Sequence, residues 1–255
     1  MTNLLIRKLS RVIKLSDDDE RLLTSLCGNT RQLPAKRDII REGDRPDHVR
    51  LVLEGWAGRY KVLPSGARQI TAFLIPGDFC DLHFTIIAQM DHSITALSAV
   101  TVADVPHDAL EELAQSRPDL SKALWWTTLT DEAVLRAWIV SLGRRNACER
   151  IAHLICEVHV RLSHIGLVED DRFHMPLTQE DLGDALGLTT VHCNRTLKKL
   201  HKEGWIEWRR GAMTIIDLKS LRTAAGFDPD YLHGGTYDVR RDRDASASKS
   251  NSAKS

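Results

Sequence analysis

The chain has 255 residues, a formal net charge of zero, 42% hydrophobic residues and 27% charged residues. Its length suits two domains, because single hydrophobic cores usually stop growing at about 100–200 residues. A neutral total neither indicates nor excludes a polyanionic partner, so any basic patch has to be local. Nowhere do about 18 apolar residues run together, which argues against a membrane span.

The cysteines and the N-terminal residues indicate the compartment. The five cysteines are odd in number and scattered, without a CxxC pair, which favours reduced thiols. They are Cys27, Cys80, Cys148, Cys156 and Cys193. Residues 1–16 mix apolar and basic residues and lack the continuous apolar segment of a signal peptide. We therefore expect a cytoplasmic protein with no membrane contact.

Short apolar runs dominate the first half of the chain. An acidic helix start is predicted over residues 17–27. From about Gln32 to Pro106, runs rich in β-branched residues alternate with the turn sequences EGD, PSGA and PGD. Such closely spaced strands predict an antiparallel barrel or sandwich. We assign residues 1–116 to a β-barrel domain with N-terminal helices.

A long helix is predicted to begin at Pro118, because proline suits the first helical turn and the next proline is Pro176. Its apolar positions alternate four and three residues apart within a segment assigned as 117–143, which predicts a dimerisation seam. The seam positions are Leu124, Thr128, Asp131, Leu135, Trp138 and Leu142. The alternative is a helix that only packs on the barrel. We favour dimerisation, since the large apolar groups exceed one buried face.

Residues 144–227 form the second predicted domain. Asn146 and Glu149 can build a capping box in front of an amphipathic helix. A polar connection follows over residues 163–175, and the polar chain over 228–255, most clearly from Tyr237 onwards, is predicted to be disordered.

Two short helices within this domain predict a helix-turn-helix. Thr178 and Asp181 start the first, which ends at Gly187. Thr189 caps the second, which ends at Gly204. Its predicted inward positions are Val191, Leu197 and Leu200. The runs WIEW and MTII around RRGA then predict a β-hairpin, or wing.

The second helix of this motif carries the chemistry of a DNA reader. From Thr189 to Arg210, six lysines and arginines stand against Glu203 and Glu207, a local net charge of +4. Arginine can pair with guanine, asparagine with adenine, and lysine with phosphate. The candidate DNA contacts are Thr178, Thr189, Thr190, Val191, His192, Asn194, Arg195, Lys198, Lys199, Arg209 and Arg210. A merely solvated charged face is the alternative, which the capped helix start and the glycine turn disfavour.

Residues 144–216 resemble the DNA-binding domain of Crp/Fnr transcription regulators, on the segments GRRNACERIAHLICEVHVRL and LTQEDLGDALGLTTVHCNRTLKKLHKEGWI. The segment REGDRPDHVRLVLEGWAGRYKVLPSGARQITAFLIPGDF is similar to the cyclic-nucleotide-binding-like barrel of that family. The resemblance implies an α+β fold with a barrel, a long dimerisation helix and a winged helix-turn-helix. It also implies a homodimer that binds palindromic double-stranded DNA and contacts RNA polymerase. It places the base-reading arginine at Arg195, and Val191 where many members have glutamate, which implies a different operator.

The resemblance implies that the barrel of residues 1–116 is a sensor domain, but none of three effectors known from the family is expected here. Cyclic-AMP-binding members hold the phosphate with an Arg-Ser pair, whereas Asp91, His92 and Ser93 occupy that place here. An iron–sulfur cluster needs several cysteines, and Cys27 is alone in the first 79 residues. Cys80 with His83 resembles a haem ligand pair only faintly.

A small-ligand pocket remains an alternative for the first domain. Its candidate residues are Asp81, His83, Asp91, His92 and Ser93, although we favour a structural role for them under a loop. No cofactor or metal site is expected. The chain has no phosphate loop, nucleophile elbow, HExxH or dinucleotide fingerprint, so no enzyme is expected. A winged helix that binds protein is the other alternative, and the +4 segment argues against it.

Overall fold

A computed structural model describes residues 3–82 and 89–234 of the chain. Two helices, α1 (Leu4–Leu9) and α2 (Asp17–Leu26), precede the sheets. The predicted acidic start of α2 is confirmed: Ser16 and Asp19 form a capping box there, and the first turn is wholly acidic. Within the described residues, no helix has both the length and the apolar composition needed to cross a bilayer.

The first domain contains two antiparallel sheets on either side of one apolar core. One sheet has the order β1-β7-β3 and the other the order β2-β6-β4-β5. The strands are β1 (Thr30–Leu33), β2 (Asp38–Ile40), β3 (His48–Glu54), β4 (Ala57–Val62), β5 (Arg68–Leu74), β6 (Ser93–Ala96) and β7 (Val100–Pro106). The predicted antiparallel β domain is confirmed.

The predicted barrel, however, is not closed over the described ranges. The register shifts in the β2–β6, β3–β7 and β4–β5 pairs, and such bulges bend a strand and interrupt its ladder. An isolated bridge between Leu51 and Phe79 links β3 to the segment that follows β5. The domain is therefore a two-sheet sandwich, the other arrangement that the strand spacing allowed.

Helix α3 (His107–Ser116), which the sequence analysis did not single out, leads into the long helix α4 (Pro118–Arg144). The predicted start of α4 at Pro118 is confirmed. Near its N-terminus, α4 packs Leu120 and Ala123 into the core of the sandwich. Further along, Val134 and Trp138 enter a second core, which includes the following domain.

The second domain contains the predicted helix-turn-helix and wing. Its elements are α5 (Ala147–His164), β8 (Arg172–His174), α6 (Gln179–Leu186), α7 (Thr190–Lys202), β9 (Ile206–Arg209), β10 (Ala212–Ile215) and α8 (Leu218–Ala225). Strand β8 lies within the predicted polar connection; it pairs antiparallel with β10 and completes a three-stranded sheet.

The prediction of disorder from residue 228 onwards is wrong for residues 229–232. Residues Pro229–Leu232 form a 3₁₀ turn in which Leu232 is buried. The Tyr231 hydroxyl donates to the Glu157 carboxylate of α5 at 2.8 Å, which fixes this turn on the second domain. The remaining tail, residues 235–255, lies outside the described residues.

The two domains share a hydrophobic core. Ile70, Phe73 and Ile75, in or just after β5, pack into the same cluster as the apolar face of α5. Phe73 meets Trp138 edge to face, with the ring centroids 5.5 Å apart. The position of the helix-turn-helix therefore depends on the sandwich as well as on α4.

Candidate functional site

Local hydrogen bonds fix the geometry of the helix-turn-helix. The Asp181 carboxylate accepts from the Thr178 backbone N–H at 2.9 Å, and the Thr178 hydroxyl oxygen accepts from the Asp181 N–H at 3.1 Å. This reciprocal pair is the predicted capping box of α6. The chain leaves α6 at Gly187 with φ +63°, a conformation that suits glycine. The Thr189 hydroxyl then accepts from the His192 N–H at 3.2 Å, which confirms the predicted cap of α7.

Sequence reasoning missed the role of Gly183 in this turn. A Cβ at this position would lie 2.5 Å from the Leu188 carbonyl oxygen, too close for any side chain. A glycine inside a short amphipathic helix is the signal that could have revealed this close approach. Gly183 therefore lets α6 and the start of α7 pack together, and it couples their orientations.

The buried face of α7 differs in one position from the prediction. Leu197 and Leu200 are buried, as expected, together with Cys193 and Thr196. Val191 is 80% exposed, so its predicted inward orientation is wrong. The physical reason is helical phase: Cys193, Leu197 and Leu200 follow the four-three spacing of one helix face, whereas residue 191 lies to the side.

The exposed face of α7 gathers most of the predicted DNA contacts. Thr189 and Thr190, just before and at the start of the helix, are exposed, and so are Val191, Arg195, Lys198 and Lys199. Among the described residues, Arg195 has no hydrogen bond and no ion pair. His192 and Asn194 are half-buried, and the Asn194 amide donates to Gln179 at 3.2 Å. Thr178 is exposed, but its hydroxyl is already used in the capping box.

The wing presents two arginines at its tip. Arg210 has φ +51° and Gly211 φ +79°, the tight turn that joins β9 to β10. Arg209 and Arg210 are both exposed, and the Arg209 guanidinium pairs with Glu207 at 2.7 Å. Both side chains therefore lie where the sequence predicts, with Arg210 free of any ion pair to the described residues.

In the first domain, the structure brings the candidate pocket residue Asp81 close to His92, which Asp91 and Ser93 adjoin in the chain. The His92 ring contacts the Asp91 carboxylate at 2.6 Å and the Asp81 carboxylate at 3.7 Å. The Ser93 hydroxyl accepts from the Glu42 backbone N–H at 2.9 Å. Burial lowers the pKa of His92, and the nearby Arg59 guanidinium lowers it further. His83 lies outside the described residues.

Arg59 is the residue of this pocket that sequence reasoning missed. Its guanidinium donates to Asp131 of α4 at 3.0 Å and to the Cys80 carbonyl at 3.0 Å. Asp131 is thus held by the sandwich, which explains a carboxylate at a position assigned to the apolar seam. Burial raises the pKa of the Cys80 thiol to about 12, so it stays protonated at neutral pH.

The exposed face of α4 is rotated relative to the predicted seam. Trp138 is 4% exposed and donates from its indole to Glu157, so it belongs to the chain's own core. This burial corrects the assignment of Trp138 to a dimer seam. Leu135 remains exposed, whereas Leu124 and Leu142 are half-buried. The large apolar side chains that face solvent on α4 are Trp125, Leu129, Leu135, Ile139 and Val140.

Comparisons with known proteins agree with this architecture. A Crp-like helix-turn-helix domain model matches residues 149–224, and a cyclic nucleotide-binding domain model matches residues 30–117. The nitrogen fixation regulation protein FixK of Bradyrhizobium diazoefficiens is 32% identical over 68% of this chain and 72% of its own length. The transcriptional activator protein FnrL of Cereibacter sphaeroides is 30% identical over 78% of this chain and 82% of its own length.

The fold likeness extends over most of the chain. The structure of FixK2 from Bradyrhizobium japonicum superposes with a TM-score of 0.71 at 25% identity, covering 78% of this chain and 98% of that one. The two family models therefore cover the sandwich and the helix-turn-helix, and the likeness to relatives and to the FixK2 structure extends over most of the chain. The chain belongs to the Crp/Fnr family of DNA-binding transcription regulators.

Proposed function

We propose that the protein acts as a homodimer in the cytoplasm, that it reads a palindromic operator with α7, and that it contacts RNA polymerase without catalysing a reaction. The observation that carries this proposal is the Arg195 side chain, which is exposed and makes no ion pair with the described residues. An arginine in that state can form two hydrogen bonds to O6 and N7 of guanine without first losing a partner. Thr190, Val191 and His192 lie beside it for neighbouring bases.

The phosphate contacts are assigned to the residues around this reading face. Lys198 and Lys199 are exposed on α7, and Arg210 is exposed at the wing tip. Such contacts fix the register of the protein on the duplex without reading its sequence. The Thr189 hydroxyl accepts from a backbone N–H, and its own proton is left to donate to a phosphate oxygen.

The dimer interface is assigned to the exposed apolar face of α4. Trp125, Leu129 and Ile139 follow helical spacing and are 55%, 54% and 62% exposed. Large apolar side chains in a row along one helix are typical of a helix that pairs with a second copy. Two copies related by a two-fold axis would present two α7 helices to the two halves of a palindrome.

We propose that the pocket around His92 in the first domain does not bind a cyclic nucleotide. The buried Arg59 guanidinium is already engaged by Asp131 and the Cys80 carbonyl. Asp81 and Asp91 surround His92, whose pKa is lowered by burial, so this ring adds little positive charge near neutral pH. An anionic phosphate at this place would therefore meet the carboxylates of Asp81 and Asp91, whereas the Arg59 guanidinium beside them is already paired. The effector is left unassigned.

Two other groups known from the family are also unsupported by the residues. Cys80, the thiol that resembles a haem ligand in the sequence, is fully buried. An iron–sulfur cluster would need cysteines clustered near the N-terminus, where Cys27 stands alone in the first 79 residues. We propose that neither group is present.

Selection of duplexes from a random pool tests this function. The wild-type chain should enrich a palindrome, and its affinity for that palindrome should fall steeply with rising salt. The selection is repeated with added cell extract, which reports whether a small effector is required. Binding that is equal for the enriched and the random duplexes at every salt concentration would contradict the proposal.

A further inference from the structure

The hairpin formed by β4 and β5 bonds directly to α6, the first helix of the helix-turn-helix. Arg68, the first residue of β5, pairs with Asp184 at 2.6 Å and with Asp181 at 3.1 Å. The next residue, Gln69, donates from its side-chain amide to the Ala185 carbonyl at 3.1 Å. We call these bonds the hairpin–α6 contact. They link residues more than 110 positions apart, across the two domains.

The hairpin–α6 contact is partly buried and geometrically specific. The side chains of Arg68, Asp184 and Asp181 are 29%, 25% and 10% exposed. Burial alone would lower the pKa of the Arg68 guanidinium, but the bonds to Asp184 and Asp181 outweigh burial and raise it. The guanidinium also lies 5.9 Å from the centre of the Tyr60 ring. A lysine could not reproduce this two-carboxylate arrangement, since it lacks the planar fork.

Holding α6 also holds α7. Because no side chain fits between Gly183 and the Leu188 carbonyl, α6 and the start of α7 move together. Arg150 strengthens this unit, donating to the Leu186 carbonyl at 2.9 Å and to the Leu142 carbonyl at the end of α4 at 2.8 Å. In this arrangement the reading face of α7, with Arg195, is exposed.

We propose that Arg68 is a positioning residue for DNA recognition: by clamping α6 to the sensor hairpin, it keeps α7 in the orientation that reaches the operator. This inference rests on the proposed function. Arg68 acts through Asp181 and Asp184, and it touches no base or phosphate. Loss of the hairpin–α6 contact therefore weakens specific binding more than random binding, because the two half-sites of a palindrome must be engaged at a fixed spacing.

A charge swap tests the proposal in the full-length protein. The variants are Arg68→Asp, Asp184→Arg and the double variant, in which the opposite charges face each other again. Arg21→Asp is the matched control, since among the described residues Arg21 contacts only its own helix α2, at Asp18 and the Asp17 carbonyl, and the change in net charge is the same. The readout is the ratio of affinities for the selected palindrome and for random duplex, with thermal unfolding measured alongside.

We expect Arg68→Asp to lower this ratio roughly tenfold, the fall that follows if the correctly docked population drops to about one tenth. The double variant should recover most of the ratio, and Arg21→Asp should keep the wild-type value. An unchanged or increased ratio for Arg68→Asp, or a double variant no better than the single one, would overturn the proposal. If the wild type itself selects no palindrome, the proposed function fails and not the role of Arg68.

Discussion

Replacing Ile139 with glutamate should convert the protein into monomers. Complete burial of an isoleucine side chain contributes about 1.5–3 kcal/mol. Because 62% of Ile139 is exposed in the single chain, its burial in a dimer contributes about 1–2 kcal/mol per chain. Two-fold symmetry replaces both copies of Ile139, so the dimerisation free energy weakens by about 2–4 kcal/mol per dimer. Enclosing two carboxylates in the interface adds a further cost. The dimer dissociation constant should rise by a factor of about 30–1000.

Sedimentation over a range of protein concentrations measures this shift. Ile139→Leu is the control, because it keeps an apolar side chain of similar volume and should remain dimeric. The unfolding temperature at concentrations where the variant is monomeric should stay close to that of dissociated wild type, since Ile139 faces solvent in the single chain. Intact dimers of Ile139→Glu at every concentration would refute the assignment of this face of α4.

Three further predictions concern DNA reading, acid stability and the sensor pocket. Arg195→Ala should cost about 1–3 kcal/mol of binding free energy at the operator and relax the preference at one base pair per half-site. Lys199→Ala should weaken binding to all duplexes similarly and reduce the slope of affinity against salt by about one. An equal loss of affinity for operator and random duplex in Arg195→Ala would make Arg195 a backbone contact. Burial lowers the pKa of His153 from 6.5 to about 4, so the unfolded chain binds a proton in that range that the folded chain does not. Wild-type stability to urea should therefore fall from pH 6.5 to pH 4 by roughly 1–3 kcal/mol more than that of His153→Gln, and parallel curves would contradict this. Millimolar cyclic AMP should leave the unfolding temperature unchanged. A saturable rise in the unfolding temperature with cyclic AMP would overturn the conclusion that His92 cannot replace a phosphate-binding arginine. The purified protein should lack a haem Soret band.

Local features of this protein could be predicted from the sequence because their causes are local. The capping box of Thr178 and Asp181, the left-handed Gly187 and the cap at Thr189 each depend on a few neighbouring residues, and all three are confirmed. The strands of the sandwich were visible for the same reason. The orientation of Val191 could not be predicted in this way, because an apolar side chain on an exposed helix face cannot be told from a core residue by its type alone.

Contacts between distant segments could not be predicted in this way. Arg59 and Asp131 are 72 positions apart, and their pairing explains a carboxylate that looks misplaced in an apolar seam. From the sequence alone, Trp138 is as consistent with a dimer interface as with the chain's own core, because a large aromatic side chain on a long helix suits both environments. Its burial against Phe73 and Glu157 depends on a domain packing that no local pattern encodes.

A separate buried ionic cluster around Asp78 also joins the two domains. Because of it, the role of Arg68 is better tested by a charge swap than by a deletion. Asp78 accepts from Lys8 of α1 at 2.5 Å and from Arg161 of α5 at 2.7 Å, and Arg161 also donates to the Phe73 carbonyl. Burial alone would raise the pKa of Asp78, but the two cations outweigh burial and hold it below its ordinary value. Removing one partner of such a cluster leaves an unpaired buried charge and costs about 3–5 kcal/mol. Because the cluster uses none of the residues of the hairpin–α6 contact, it holds α5 against the sandwich whether or not that contact is present. Arg68 therefore adjusts the orientation of α6 and α7 within the range that the shared hydrophobic core already allows. Restoring an opposite charge pair at positions 68 and 184 separates this effect on orientation from any effect on the stability of the fold.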